Sequence, residues 1–356
     1  MKPEIKHQLT LFSKIADERR ILSHEQLEII YHEKWFKLFV PKINGGLELS
    51  LPEGLETEEA LARIDGSLGW TVTLCSGASE FIGYLPAELS EKIFRNEKVC
   101  FGGSGAITGT AIETEDGYTI SGSWKYATGA PYCTHFTANC LIQKNGKQLL
   151  NKEGEPLYKS FLFTKEEVKI FKDWNTMGLK ATASNSFSIK DLKVSKRRSF
   201  VIDPNYATLP DLIYQYPFLQ FAETTLAVNI SGMALHFLDE FEQLIALWKQ
   251  SKKYSDAAIN RLEEKLKETN NNLREHRAAF YEAINASWKI LEENQLISRE
   301  MLDKVSVLSR QLSLNARKAV AELYPHCGVS ATQNGTIINL IFRDIFTASQ
   351  HYLLNL

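Results

Sequence analysis

Gly117-Tyr118-Thr119-Ile120-Ser121-Gly122-Ser123-Trp124-Lys125-Tyr126-Ala127-Thr128-Gly129 is the stretch on which the fold turns. Asp116-Gly117 separates it from a preceding run, Thr110–Thr114, and an Asp-Gly pair between short alternating runs suits the positive φ angles of a tight hairpin. The same grammar recurs at Asn145-Gly146, which divides Phe136–Gln143 from Lys147–Leu150. Further short runs follow at Lys159–Phe163, Val168–Phe171 and Phe187–Val194. Short strands with no helix between them predict an antiparallel β-barrel or sandwich over residues 99–203 rather than a parallel sheet. The Gly-rich segment Gly103–Gly109 is not a dinucleotide fingerprint, because that needs a helix to follow so that its N-terminus meets the pyrophosphate. A hairpin sequence, Ala111–Tyr118, follows instead.

Outward from this region the pattern is helical. Ser23-His24-Glu25-Gln26 has capping-box spacing, with Leu22 and Leu27 as a hydrophobic staple, and predicts a helix from His24 through Trp35 and Phe36 to Pro41. A second helical stretch covers about Glu56–Cys75 and is interrupted or tightened near Gly66 and Gly69. On the C-terminal side, Phe221–Lys249 is helical. Leu262, Leu266, Leu273, Phe280, Ile284, Trp288 and Leu291 then share one helix face. Ser298 caps the next helix, whose stripe runs from Leu302 to Leu323 and ends at Pro325; Asn339–Leu354 completes the set. Four helices with short links suit an antiparallel bundle. The reading is an α+β chain in three domains: a helical domain at 1–98, a β-domain at 99–203 and a four-helix bundle at 204–356.

The chain has 356 residues, 44% hydrophobic and 24% charged, enough to bury a large core. Its 41 basic and 43 acidic residues are interspersed, giving a net charge of -2. No broad positive field exists to collect nucleic acid or anionic lipid. The N-terminus lacks an apolar leader and no run reaches the length of a membrane span, so a cytoplasmic protein is expected. The five cysteines form no C-x-x-C pair and read as reduced packing residues. Cys133, His135 and Cys140 lie close in sequence but lack a fourth ligand, so no metal site is expected.

Helical domain, β-domain and helical bundle, in that order, resemble the acyl-CoA dehydrogenase superfamily. Pro41-Lys42-Ile43-Asn44-Gly45-Gly46-Leu47 looks like that family's "vPxxyGG" turn, and Asp65-Gly66-Ser67-Leu68-Gly69-Trp70 like its "DgSxgW" segment. Gly117–Gly129 resembles "dGGYrlsGxkxfaSG", the run from a hairpin to the flavin. That resemblance implies flavin contacts at Tyr126 and Thr128, with the Thr128 hydroxyl beside N5 of the isoalloxazine. Trp174–Asn185 is close to the family's "WxxxGlrasgS" loop, which implies cofactor roles for Trp174 and Ser184. Cys327-Gly328-Val329 followed by Ile341-Phe342-Arg343-Asp344 resembles "GGxG...xyRD", implying cofactor contacts at Gly328 and Arg343, partly across a subunit boundary. A homotetramer, or at least a dimer, is expected on that ground.

The resemblance leaves the reaction open. A dehydrogenase needs a carboxylate to remove the α-proton of the thioester, and by counting from the Arg-Asp pair its usual position falls on Tyr352. Glu223, on the first bundle helix, is the alternative base. The ending Arg343-Asp344-Ile345-Phe346-Thr347-Ala348-Ser349-Gln350-His351 is instead similar to that of two-component flavin monooxygenases on this fold. Those enzymes take reduced flavin, FAD or FMN, from a separate reductase and use oxygen on a small organic substrate. His351 is then the substrate-orienting or proton-accepting group, since an imidazole can take either protonation state near neutrality. The helix after "DgSxgW" lacks the histidine those enzymes often carry there. An oxygenase component, an acyl-CoA dehydrogenase and a flavin-binding relative without catalysis are the three readings.

Overall fold

The computed structural model describes residues 1–355. It begins with five α-helices: α1 (Pro3–Arg19), α2 (His24–His32), α3 (Leu51–Ala62), α4 (Gly66–Ser79) and α5 (Ala87–Phe94). The Ser23 capping box forms as expected, the Ser23 hydroxyl accepting from Gln26 N at 3.1 Å and the Gln26 side chain from Ser23 N at 3.0 Å. The helix nevertheless ends at His32, well short of Pro41. Lys34 adopts a left-handed conformation (φ 59°), which no helix interior tolerates, and turns Trp35 and Phe36 into the core. The Glu56–Cys75 stretch is likewise two helices. Its break is set by Asp65, whose carboxylate accepts from Leu68 N at 2.8 Å and caps α4.

The strands are β1 (Phe101–Glu113), β2 (Gly117–Ala127), β3 (His135–Lys144), β4 (Lys147–Gln148), β5 (Tyr158–Thr164), β6 (Lys169–Phe171), β7 (Asn185–Ser195) and β8 (Ser199–Phe200). They form one sheet in the order β6-β7-β2-β1-β3-β5-β8, with β4 on β3. Two corrections to the antiparallel barrel or sandwich follow. β1 and β3 pair in parallel, Phe101 opposite His135, while the other pairs are antiparallel. Among the described residues the outer strands β6 and β8 do not pair, so the sheet is open and mixed. The cause is local: β2 ends beside the start of β1, and residues 128–134 carry the chain across that end. β3 therefore enters on the far side of β1 and runs alongside it.

Gly103–Gly109 lies inside β1, so the Gly-rich segment is strand. Asn145-Gly146 adopts the positive φ angles expected of its hairpin, at 51° and 75°. Gly117 does not; it is a glycine because a Cβ there would sit 2.0 Å from the Val194 carbonyl oxygen of the adjoining strand. Trp124, Phe136, Phe161, Phe163 and Phe187 are buried together on one face of the sheet, Trp124 stacking on Phe187 at 5.2 Å. Each large side chain so buried contributes about 1.5–3 kcal/mol.

After the sheet come α6 (Phe218–Gln250), α7 (Asp256–Glu292), α8 (Arg299–Leu323) and α9 (Ile337–Ala348). The Ser298 cap forms, accepting from Met301 N at 3.2 Å. α9 stops at Ala348 rather than Leu354, and His351 lies beyond it on extended backbone (φ -63°, ψ 130°). The later helices are tied to the N-terminal ones through Glu59 of α3. Its carboxylate takes Arg277 of α7 at 2.6 Å and Ser231 of α6 at 2.6 Å.

Candidate functional site

The crossing turn between β2 and β3 builds the first part of the site. A bulge in the β2–β7 pairing between Trp124 and Ala127 turns Tyr126 outward, left-handed at φ 66° and 68% exposed. Thr128 follows and is buried, its hydroxyl 2.9 Å from that of Ser184, which lies 2.7 Å from the Thr182 hydroxyl. Gly129 N donates to Thr182 O at 2.9 Å, joining the turn to the loop before β7. On that loop the Trp174 indole donates to Leu179 O at 2.9 Å, and its ring meets Tyr126 edge-on at 6.1 Å. Leu179 and Ala183 are left-handed, at φ 49° and 44°. Three such non-glycine residues around one pair of hydroxyls mark backbone held against its preference, as occurs at ligand-binding sites.

The second part is a latch between this loop and α9. Gly178 lies so close to α9 that a Cβ would be 2.0 Å from Arg343 O. The Arg343 guanidinium donates to Met177 O at 2.6 Å, to Asn339 at 2.8 Å and to the Asp17 carboxylate at 2.9 Å. Asp344 is buried beside it, accepting from Leu179 N at 2.6 Å and facing the Ser67 hydroxyl at 3.5 Å. Burial, with Asp65 nearby, pushes the Asp344 carboxyl up to about 8. The "DgSxgW", "WxxxGl" and "RD" segments thus meet at one carboxyl.

His351 forms the third part. Its ring meets Trp70 of α4 edge-on at 6.2 Å and stacks on Tyr352 at 5.0 Å. Its Nδ1 is buried without a hydrogen-bond partner among the described residues, so its hydrogen-bonding capacity is not spent within the protein. Burial lowers its pKa to about 4, so the imidazole is neutral near pH 7. α4 links His351 to the crossing turn: Trp70 touches the former, and a Cβ at Gly129 would lie 3.6 Å from Thr71 Cγ2.

The structure therefore brings Tyr126, Thr128, Trp174 and Ser184 together. Arg343 is spent on protein partners and holds the loop from behind. Gly328 (φ 78°) sits in an open turn beyond α8, beside the exposed Val329, with nothing within 4 Å of a Cβ. Glu223 is buried and ion-paired to Arg310 of α8 at 2.6 Å. Sequence reasoning passed over Thr182, Trp70 and Asp344. Thr182 and Ser184 alternate within a quoted motif, which was a usable signal; the Trp70–His351 contact and the Asp344 latch join distant segments and left none.

Residues 224–356 match the family described as acyl-CoA dehydrogenase, C-terminal domain. The chain's relatives are more particular. An indole-3-acetate monooxygenase of Acinetobacter baumannii is 24% identical over 339 residues, covering 94% of this chain and 85% of that one. The 3-HSA hydroxylase from Rhodococcus sp. RHA1 superposes with a TM-score of 0.90 at 18% identity, over 99% of this chain and 92% of that one. XiaF from Streptomyces sp., solved in complex with FADH2 and glycerol, superposes at 0.84 with 19% identity, over 99% and 90%.

Proposed function

We propose that this protein is the oxygenase component of a two-component flavin-dependent monooxygenase, using reduced FAD or FMN from a separate reductase and oxygen on a small organic substrate. The observation that carries the reading is His351: a neutral, buried imidazole with an unpartnered nitrogen, boxed by Trp70 and by Tyr352, the position at which a dehydrogenase would need a carboxylate. Among the described residues, Asp344 is the only carboxylate on α9 or after it, and it is occupied by the loop. Glu223 is committed through one carboxylate oxygen to Arg310 of α8.

The residues present fit a flavin. The exposed Tyr126 and the half-buried Trp174 offer an aromatic wall, and Thr128 offers a hydroxyl whose hydrogen is free to turn, since Ser184 keeps Thr182 as a second partner. When bound, reduced flavin supplies the electrons and activates the oxygen. Thr128 then holds a hydrogen bond at the ring edge, as donor or acceptor. The Trp174–Ser184 loop, fixed by Arg343 and Asp344, keeps that wall in place and water out. His351 accepts a hydrogen bond from a substrate O–H or N–H and orients it. The C-terminal helices of residues 204–356 act as a four-helix bundle carrying subunit contacts of a cytoplasmic homotetramer, in which Gly328 serves a neighbour's site. The exposed Val307 and Leu314, on one face of α8, suit such contacts.

Rapid mixing of the protein and photoreduced flavin with oxygen-18 tests the reaction: label should enter the product when a phenol or indole panel contains the substrate. Anaerobic reduction of bound oxidised flavin by an acyl-CoA would reject the reading in favour of a dehydrogenase. Light scattering should find four subunits per particle; a stable monomer would reject the assembly.

A further inference from the structure

Behind the crossing turn lies a cluster that the reaction does not use. Cys75 comes from α4, Cys100 from the residue before β1, and Cys133 from the turn itself. The structure pairs Cys133 with these two sulfurs rather than with His135 or Cys140. All three residues are 0% exposed, and their Sγ atoms lie within 4.8 Å of one another. Cys100 is bound to the turn from both sides, its N donating to the Thr134 hydroxyl at 3.1 Å and its O accepting from Thr134 N at 2.8 Å. The backbone carbonyls close the cage: Thr128 O is 3.6 Å from Cys75 Sγ and 3.8 Å from Cys133 Sγ, and Gly129 O is 3.3 Å from Cys133 Sγ.

We propose that Cys75, Cys100 and Cys133 form a structural site for one thiophilic metal ion, zinc(II) or copper(I), that fastens α4 to the crossing turn. A metal–thiolate bond of about 2.3 Å places sulfurs about 3.8–4.0 Å apart in tetrahedral or trigonal geometry, inside the spread observed. The ligands are soft sulfurs, which select these two ions over hard cations. Complete burial suits a closed structural site filled during folding. Binding is a ligand exchange: the metal–sulfur bonds replace metal–water bonds, and each thiol that ligates as thiolate releases one proton to solvent. For zinc the Thr128 carbonyl, which lies within 3.8 Å of two of the sulfurs, supplies the fourth donor; copper(I) is satisfied by three sulfurs.

The test uses the full-length, untagged protein expressed with added zinc or with copper, and again after unfolding and refolding with zinc or with copper(I) under reductant. Elemental analysis after gel filtration should give about one metal per chain, and the element found tells zinc from copper. Cys133→Ser should lower it at least tenfold, whereas Cys140→Ser, whose sulfur packs against Gly109 instead, should not. Refolding with cobalt(II) should give a thiolate charge-transfer band in the wild type, a readout that needs no variant to fold. If Cys133→Ser fails to fold, Cys75→Ala and Cys100→Ala, checked by circular dichroism, take its place. Folded wild-type protein without stoichiometric metal after both treatments, or metal retained at full occupancy in the folded cysteine variants, would overturn the site.

Discussion

Thr128 and His351 carry the residue-scale argument because each has hydrogen-bonding capacity that the chain itself does not consume. Thr128 shares Ser184 with Thr182, so replacing it removes no bond on which the turn depends. Thr128→Val should leave the melting temperature nearly unchanged and weaken flavin binding by about 1 kcal/mol, or about fivefold in Kd. Equilibrium titration with FAD and FMN checks this, and unaltered affinity and spectra would take Thr128 out of the site. His351 is the sharper case, since its Nδ1 has no partner to lose. His351→Ala should slow substrate oxygenation by about 100-fold or more while oxygen consumption in the absence of substrate and thermal stability change little. A loss of stability that accounts for the loss of activity would make the residue a packing group.

At the scale of elements, the loop before β7 holds its shape because α9 grips it. Gly178 is the point of closest approach, and Gly178→Ala puts a methyl 2.0 Å from a backbone oxygen that cannot move without bending α9. The expected result is a destabilised protein, by about 1–3 kcal/mol for an overpacked contact, with red-shifted tryptophan emission from Trp174 and weaker flavin binding. Unchanged melting and emission would show that the loop is not latched. Much of this layer was legible in the sequence wherever short-range chemistry decides it: the Ser23 capping box, the Ser298 cap and the Asn145-Gly146 hairpin all formed where the residues place them. Element ends set by a single backbone conformation were not, as at Lys34, where an ordinary lysine goes left-handed, and at Ala348, where α9 stops before its apolar residues do. The parallel β1–β3 pair was hidden for a different reason, since it depends on which side of β1 the chain re-enters. Four of the proposed flavin-site residues converge because they lie in motifs on neighbouring strands and loops, whereas the roles of Asp344 and Trp70 arise from contacts between remote segments.

For the molecule as a whole, buried ionisable groups set how stability responds to pH. His135, His236 and His351 are each lowered to about 4 by burial. Their contribution is fully present above the unfolded histidine value of about 6.5 and is lost as pH falls toward 4. Glu80 and Asp344 move the other way, raised by burial to about 8. The folded state holds their protons where the unfolded state, titrating near 4, has released them, so stability falls as pH rises through 4 to 8. Burial raises Glu58 well above its ordinary value too, so between pH 4 and 6.5 three carboxyls oppose three histidines and the two sets largely cancel. Between 6.5 and 8 the carboxyls act alone, because the histidines are already neutral in both states. The melting temperature should therefore vary little from pH 5 to 6.5 and decline from 6.5 to 8.5. Asp344→Asn keeps an oxygen for Leu179 N but removes the titration, so its decline on the alkaline side should be shallower by about one proton's worth of slope, 1.4 kcal/mol per pH unit at most. Melting curves of both proteins across this range decide the matter: equal slopes above pH 6.5 would mean that Asp344 is already ionised in the folded state and that the latch is held by a charged carboxylate.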